Sequence, residues 1–233
     1  MSASPRDPSR GDGGGGERRR GIGSGKARAA AARLRAVRIA LAHDLIRAGR
    51  ILDRRGMIVA GEGNLSARIA ADRLLITRAG RRKGELTTRD FVELQVLEPS
   101  DSPTRLAASS EHRVHLVAYA TRRDLDAIVH AHPVALTAYA LRGHAPDFSR
   151  IDEARAFLGP IGFTPYHPAG SERLAEAVAR ALETPIDAVR PTVVVLQNHG
   201  ALAVGANVDE ALSRLEIAEH LAATLLLAER GGG

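Results

Sequence analysis

The chain has 233 residues, with 33 Lys and Arg, 27 Asp and Glu, and no cysteine, a length that fits one domain with ample material for a core. The missing cysteines exclude disulfides, thiolate zinc sites and cysteine nucleophiles, so any zinc must be held by His, Asp or Glu. The net charge of +6 sits mostly in residues 1–30, with seven basic against three acidic side chains, and with four Phe, three Tyr and no Trp the composition argues against a nucleic-acid platform.

Residues 1–26, rich in Gly, Ser and Pro with almost no large apolar side chain, predict a disordered basic tail followed by one domain over 27–233. From about Ala27 to Arg55, Leu34, Val37, Leu41, Leu45 and Ile51 recur at helical spacing, with Gly49 as a point where the helix can break and Gly56 as its C-cap. Residues 57–77 read as a β meander: Met57–Ala60 opens it, Gly61–Asn64 turns, and Leu65–Ile69 and Arg73–Thr77 alternate as strands. Phe91–Glu98 is a further strand, and a Pro-containing connection leads to a helix from Ser109 to about Thr121, with a serine as N-cap.

Asp126–His130 reads as a strand, Val134–Leu141 as a short helix, and Arg142–Gly159 as a loop with one helical turn near Asp152–Phe157. Ile161–Thr164 is a short strand, and Ser171–Leu182 is a helix capped by Ser171. Thr192–Leu196 and Ala201–Val204 form a hairpin across Asn198-His199-Gly200, and a last helix opens at Asn207 or Asp209 and runs to about Glu229. Helices before, between and after mixed strands predict a layered α/β protein. No run approaches a membrane span and the N-terminus lacks a signal-peptide core, so a cytoplasmic protein with no membrane partner is expected.

Chemistry-bearing residues punctuate this order. A strand period of two puts His130 and His132 on one face, close enough to share an ion. Ser109, Ser110 and Glu111 place two hydroxyls at a helix start that attracts anions. Gly61-Glu-Gly-Asn-Leu-Ser66 and Thr77-Arg-Ala-Gly80 are glycine turns, and Asn198-His199-Gly200 sets a third histidine in a hairpin turn. Each has a plain alternative as a cap, a tight turn or a solvated histidine.

Taken in order over residues 61–200, G-x-G-N-x-S, T-x-x-G, S-S-E, H-x-H and N-H-G resemble the class II aldolase and adducin head family of the L-fuculose-1-phosphate aldolase and L-ribulose-5-phosphate 4-epimerase type. The resemblance implies a three-layer α/β/α sandwich with a mixed central sheet of about nine strands, and a homotetramer with active sites at subunit interfaces. It also implies one zinc ion per subunit on His130, His132 and His199, with Glu111 as a resting ligand and as the catalytic acid/base. Gly63, Asn64, Gly80, Ser109 and Ser110 match the site for the phosphate of a small sugar-phosphate substrate.

The activity implied is cleavage of a ketose 1-phosphate to dihydroxyacetone phosphate and an aldehyde through a metal-stabilised enediolate, with Glu111 moving the proton. Three departures qualify that substrate. Arg78 and Ala79 stand where the phosphate turn has Pro and a hydroxyl residue; Tyr119, Tyr139 and Tyr166 do not fill the places of the aldolase's tyrosine proton donors; and Glu111 stands where the epimerases have Asp, which favours lyase chemistry. A decarboxylase or epimerase acting on a sugar acid or sugar phosphate at the same site is the alternative, and a non-catalytic adducin-like module is a third reading. Lys83 is the one lysine outside the tail, so a Schiff-base aldolase would have to use it, but just past the Thr-x-x-Gly turn it reads rather as a residue that attracts phosphate or is solvated.

Overall fold

The structure is a computed structural model that describes Met1 and residues 18–96 and 102–230. Residues 2–17, most of the expected tail, lie outside the described residues. Helix α1 spans Arg18–Arg54, beginning before the expected Ala27, and is continuous through Gly49. The chain divides into two units, Met1–Ala36 and Val37–Gly233, and α1 contributes to both. The second unit carries every strand.

Seven strands form one mixed sheet: β1 (Asn64–Ala70), β2 (Arg73–Thr77), β3 (Phe91–Gln95), β4 (Ala127–Ala131), β5 (Ile161–Thr164), β6 (Val193–Leu196) and β7 (Gly200–Gly205). Their spatial order is β3-β2-β1-β4-β7-β6-β5. Among the described residues only β5 and β6 pair in parallel; every other neighbour is antiparallel. The strand count among the described residues is seven rather than about nine. Arg78 with Ala108, and Ile186 with Val189, make single bridges instead of ladders, and Met57–Ala60 is not a strand, although the Met57 carbonyl accepts the His132 amide at 3.1 Å.

The helices of this unit after α1 are α2 (Pro103–Ala107), α3 (His112–Thr121), α4 (Val134–Arg142), α5 (Asp152–Phe157), α6 (Glu172–Glu183) and α7 (Val208–Arg230). Helix α2 is additional to the expected elements; Ser102 caps it by accepting the Arg105 amide, with Pro103 in its first turn. Alternation along the buried strands divides the core. Leu74, Ile76, Ile128, Val194, Leu196, Leu202 and Val204 pack with Val114, Tyr119, Leu174 and Val178 of α3 and α6. Their odd-even neighbours Leu75, Val129, Val193 and Val195 are equally buried, and α7 packs on β4, β6 and β7. Each fully buried Leu or Val contributes about 1.5–3 kcal/mol, so the central strands are clamped from both sides.

Two corners matter for the site. Helix α4 starts directly after His132-Pro133 and has no side-chain cap of its own. The Glu219 carboxylate of α7 supplies one, accepting the Ala135 amide at 2.8 Å and the Leu136 amide at 2.9 Å; such charge-assisted bonds are worth about 1.5–3 kcal/mol each. The other corner corrects the sequence reading. Helix α3 is capped by Glu111, not by a serine, and Glu111 makes no side-chain cap bond. The Ser109 amide is drawn to the Thr77 carbonyl at 3.0 Å, which ties the serine to the end of β2, while the Glu111 side chain turns inward.

Candidate metal centre

The register of the sheet assembles the site. Pairing of β1 with β4 sets Asn64 opposite His130, and pairing of β4 with β7 sets His130 opposite Leu202, so the β6–β7 turn brings His199 to the same place. Asn198 takes φ of 59° in that turn. Gly200 is required for closeness rather than for positive φ: a Cβ there would lie 2.6 Å from the Ala131 carbonyl oxygen and 2.7 Å from Cδ2 of His132. Gly63 has φ of +68°, and its Cβ would lie 2.5 Å from the His130 carbonyl oxygen. A side chain at either glycine would push a histidine out of place.

His130, His132 and His199 each offer a nitrogen within 4.8 Å of the others, and their ring centroids are 4.9–5.1 Å apart. Nε2 of His130 and Nε2 of His132 are separated by 3.3 Å. A tetrahedral ion bound by nitrogen at about 2.0–2.1 Å separates its ligand atoms by about 3.3–3.4 Å, so the pair is spaced as two ligands of one ion. The Nδ1–H of His130 donates to the Ala201 carbonyl at 2.9 Å, which leaves Nε2 with its lone pair toward the cluster. Glu111 Oε2 lies 3.1 Å from His130 Nε2 and Oε1 lies 3.5 Å from His199 Nε2, where a fourth ligand would stand. Three neutral imidazoles and one carboxylate are a donor set that suits a divalent cation.

Burial, followed by the charge of His130, pushes His199 down to about 4 and also lowers His132, favouring neutral rings at those two positions. At His130 burial is outweighed by the charge and hydrogen bond of Glu111, which raise it, so without an ion a proton stands between His130 and Glu111 and a metal would have to replace it. Burial would raise the Glu111 carboxyl, yet His130 by charge and hydrogen bond, with His199 and Asn64, holds it well below the usual carboxylate range. Glu111 is therefore ionised beside a place built for positive charge.

A cavity of about 210 Å³ opens over the cluster, lined by Gly63, Asn64, Gly80, Ser109, Ser110 and Glu111 together with His132 and His199. All of the sequence-derived site residues except His130, which lies beneath, thus border one hollow. The amides of Arg78, Ala79 and Ser109 already have internal carbonyl partners, so an anion at this turn would need Gly80, Ser110 and side chains. Larger hollows exist near Phe148, of about 650 Å³, and near Phe157, of about 690 Å³. Donor chemistry rather than size singles out the smaller one.

Two further side chains contribute, Glu62, which the sequence did not single out, and Lys83, whose burial it did not disclose. Glu62 Oε1 stands 3.6 Å from His132 Nδ1 and lines the same cavity. Lys83 is buried, not solvated. Its ammonium donates to the Gly61 carbonyl at 2.6 Å and the Arg81 carbonyl at 2.8 Å, stapling the two glycine turns together at the cavity wall. Burial lowers its pKa to about 8. Spacing could not have disclosed either role, since Glu62 and Lys83 reach their partners only after the turns fold.

The family of class II aldolases and adducin N-terminal domains matches residues 43–226. A methylthioribulose-1-phosphate dehydratase from Acidiphilium cryptum is 33% identical over 193 residues, covering 77% of this chain and 87% of the relative. An L-fuculose phosphate aldolase from Methanocaldococcus jannaschii is 29% identical over 182 residues, covering 78% and 93%. The crystal structure of L-fuculose-1-phosphate aldolase from Thermus thermophilus superposes with a TM-score of 0.69 at 29% identity, covering 83% of this chain and 97% of that one. Among the described residues no helix is long and apolar enough to cross a membrane. With the sheet, the histidine cluster and these similarities in agreement, the chain belongs to the class II aldolase and adducin N-terminal domain family.

Proposed function

We propose that the protein is a divalent-metal lyase, zinc being the ion expected, that cleaves a phosphorylated ketose to a triose phosphate and an aldehyde. The observation that carries this reading is the convergence of Glu111 on His130 and His199 at the floor of a cavity bordered by two glycine turns and two serines. An ion held by His130, His132 and His199 would supply Lewis acidity toward the carbonyl and hydroxyl oxygens of the substrate. Gly63, Asn64, Gly80, Ser109 and Ser110, with the positive charges of Arg78 and Lys83, hold the phosphate and fix the reacting carbons. Glu111 exchanges a proton with the enediolate carbon left when the carbon–carbon bond breaks. The same reading carries a single domain over 27–233, a homotetramer with active sites at subunit interfaces and a cytoplasmic location.

A second reading, dehydration of a ketose 1-phosphate, is favoured by the name of the 33% identical relative and by a cavity lining that contains no tyrosine to serve the aldehyde oxygen. Both reactions pass through an enediolate, formed by breaking a carbon–carbon bond in cleavage and a carbon–hydrogen bond in dehydration. A screen of ketose 1-phosphates on metal-loaded protein separates them. Triose phosphate is the expected product; loss of water without triose phosphate replaces cleavage by dehydration, and release of carbon dioxide from phosphorylated keto acids would replace both.

Lys83 gives a pH signature. Its charge is present below about 8 and lost as pH rises through that value, whereas a solvated lysine stays charged to about 10.4. Sulfate, a phosphate surrogate of constant charge, is expected to bind several-fold more weakly at about pH 9 than at about pH 7 in the wild type. In Lys83→Met the affinity should be low and nearly flat. Sulfate titration of both proteins by calorimetry checks this, and parallel pH profiles would remove Lys83 from the anion site.

A further inference from the structure

A line of buried side chains leads from Glu111 into the core. Asn64 Nδ2 donates to Glu111 Oε2 at 2.8 Å, Asn64 Oδ1 lies 2.5 Å from His115 Nε2, His115 Nδ1 lies 2.7 Å from Ser66 Oγ, and Ser66 Oγ lies 2.9 Å from the Tyr119 hydroxyl. Asn64, Ser66, His115 and Tyr119 are each at most 2% exposed.

The polarity of this line follows from its first member. A carboxylate only accepts, so Asn64 must turn its NH₂ toward Glu111 and its oxygen toward His115. His115 must then carry its proton on Nε2 and accept at Nδ1. Ser66 is thereby obliged to donate to His115, and its oxygen accepts from Tyr119. Burial, with the charge of His130 next, pushes the His115 ring down to about 3, in keeping with a neutral imidazole. The far end is closed: the Arg68 guanidinium sits 4.7 Å from the Tyr119 ring centroid and also donates to the Tyr119 carbonyl at 3.1 Å. With its terminal hydroxyl in the core, the line has no outlet to solvent and cannot conduct protons away.

We propose that Tyr119, Ser66, His115 and Asn64 form a one-way chain of donors that reserves Oε2 of Glu111 as an acceptor, so that the proton exchanged with substrate resides on Oε1. When Glu111 takes a proton from carbon, the O–H bond forms at Oε1, the C–H electron pair stays in the substrate, and Oε2 keeps the Asn64 hydrogen bond throughout. His115 and Ser66 are positioning residues that act through Asn64. The proposal rests on the reading of Glu111 as the proton-transfer group, and its test has one arm that does not.

In that arm, zinc-loaded protein labelled with ¹⁵N-histidine is followed by long-range ¹H–¹⁵N NMR, with His115→Gln assigning the signal. His115 should be neutral with its proton on Nε2 from about pH 5.5 to about pH 8.5, where an ordinary histidine titrates. A proton on Nδ1, or an imidazolium at the acid end, overturns the chain whatever the activity is. In the kinetic arm, Ser66→Ala and His115→Gln should lose roughly 10- to 100-fold in kcat, the scale for supporting hydrogen bonds around a metal site. KM and metal content should be unchanged, and Tyr119→Phe should be nearly silent, because Ser66 can still donate. A loss in Tyr119→Phe equal to that in His115→Gln, or an undiminished kcat in Ser66→Ala, overturns the positioning role. An active Glu111→Gln enzyme would overturn the functional reading instead.

Discussion

Glu111→Gln is expected to retain its metal and lose roughly 10³-fold or more in kcat, near the upper part of the range for general acid–base groups. The substitution preserves shape and volume in a position that is 8% exposed, so the fold has little cause to change. Function suffers twice. The amide cannot accept a proton at working pH, and it brings an NH₂ group toward the Asn64 donor now 2.8 Å from Oε2, where two donors would face each other. The variant must then turn its oxygen to Asn64 and its NH₂ toward His199, leaving no basic atom toward the substrate. Because the carboxylate is only one of four groups around the cluster, the three imidazoles should still hold the ion. Elemental analysis together with kcat on the substrate found by the ketose-phosphate screen checks both halves, and activity within about threefold of wild type would remove the proton-transfer role.

His130→Ala should abolish both metal binding and turnover. His130 is the most buried of the three histidines, and its Nδ1–H is anchored on the Ala201 carbonyl at 2.9 Å, so it is the candidate ligand whose direction is set most firmly by the sheet. Its loss leaves two imidazoles and a carboxylate and removes the imidazole nearest to Glu111, 3.1 Å from Oε2. Metal affinity should fall by roughly 10³-fold or more, well beyond the 10- to 100-fold typical of a supporting residue, and turnover should fall to background. Chelator-treated wild type should lose activity and recover it when zinc is returned, while the variant should not recover. A variant that keeps stoichiometric metal would remove His130 from the ligand set.

The helices and strands are legible where one period dominates. Ser171 and the apolar stripe after it predict α6, and the apolar runs at 193–196 and 201–204 predict a hairpin, because local propensity and burial point the same way there. Met57–Ala60 reads as the start of a strand and is not one, since an apolar run does not say whether its carbonyls will find a ladder. The serine cap expected for α3 is displaced by two residues: Ser109 is tied to Thr77 across the fold and its hydroxyl accepts the Glu111 amide at 3.4 Å, so the helix begins after Glu111. Helix α2 shows no period because five residues are too short for one, and its start at Ser102-Pro103 reads equally as a loop.

By itself, the sequence determined the family and a candidate donor set. His-x-His carries its own chelate spacing, Asn-His-Gly carries its own turn, and the order of five short motifs is specific enough to name the relatives. Tertiary structure alone decided how those donors are held and biased. The pairing of β1 with β4 brings Asn64 to Glu111, and the turn of Glu62 sets a carboxylate beside His132. The closing of two glycine turns buries Lys83, and α7 lends Glu219 to the helix that follows His132. Each of these contacts joins residues far apart in the chain, and a contact made by folding has no local spacing from which it can be read.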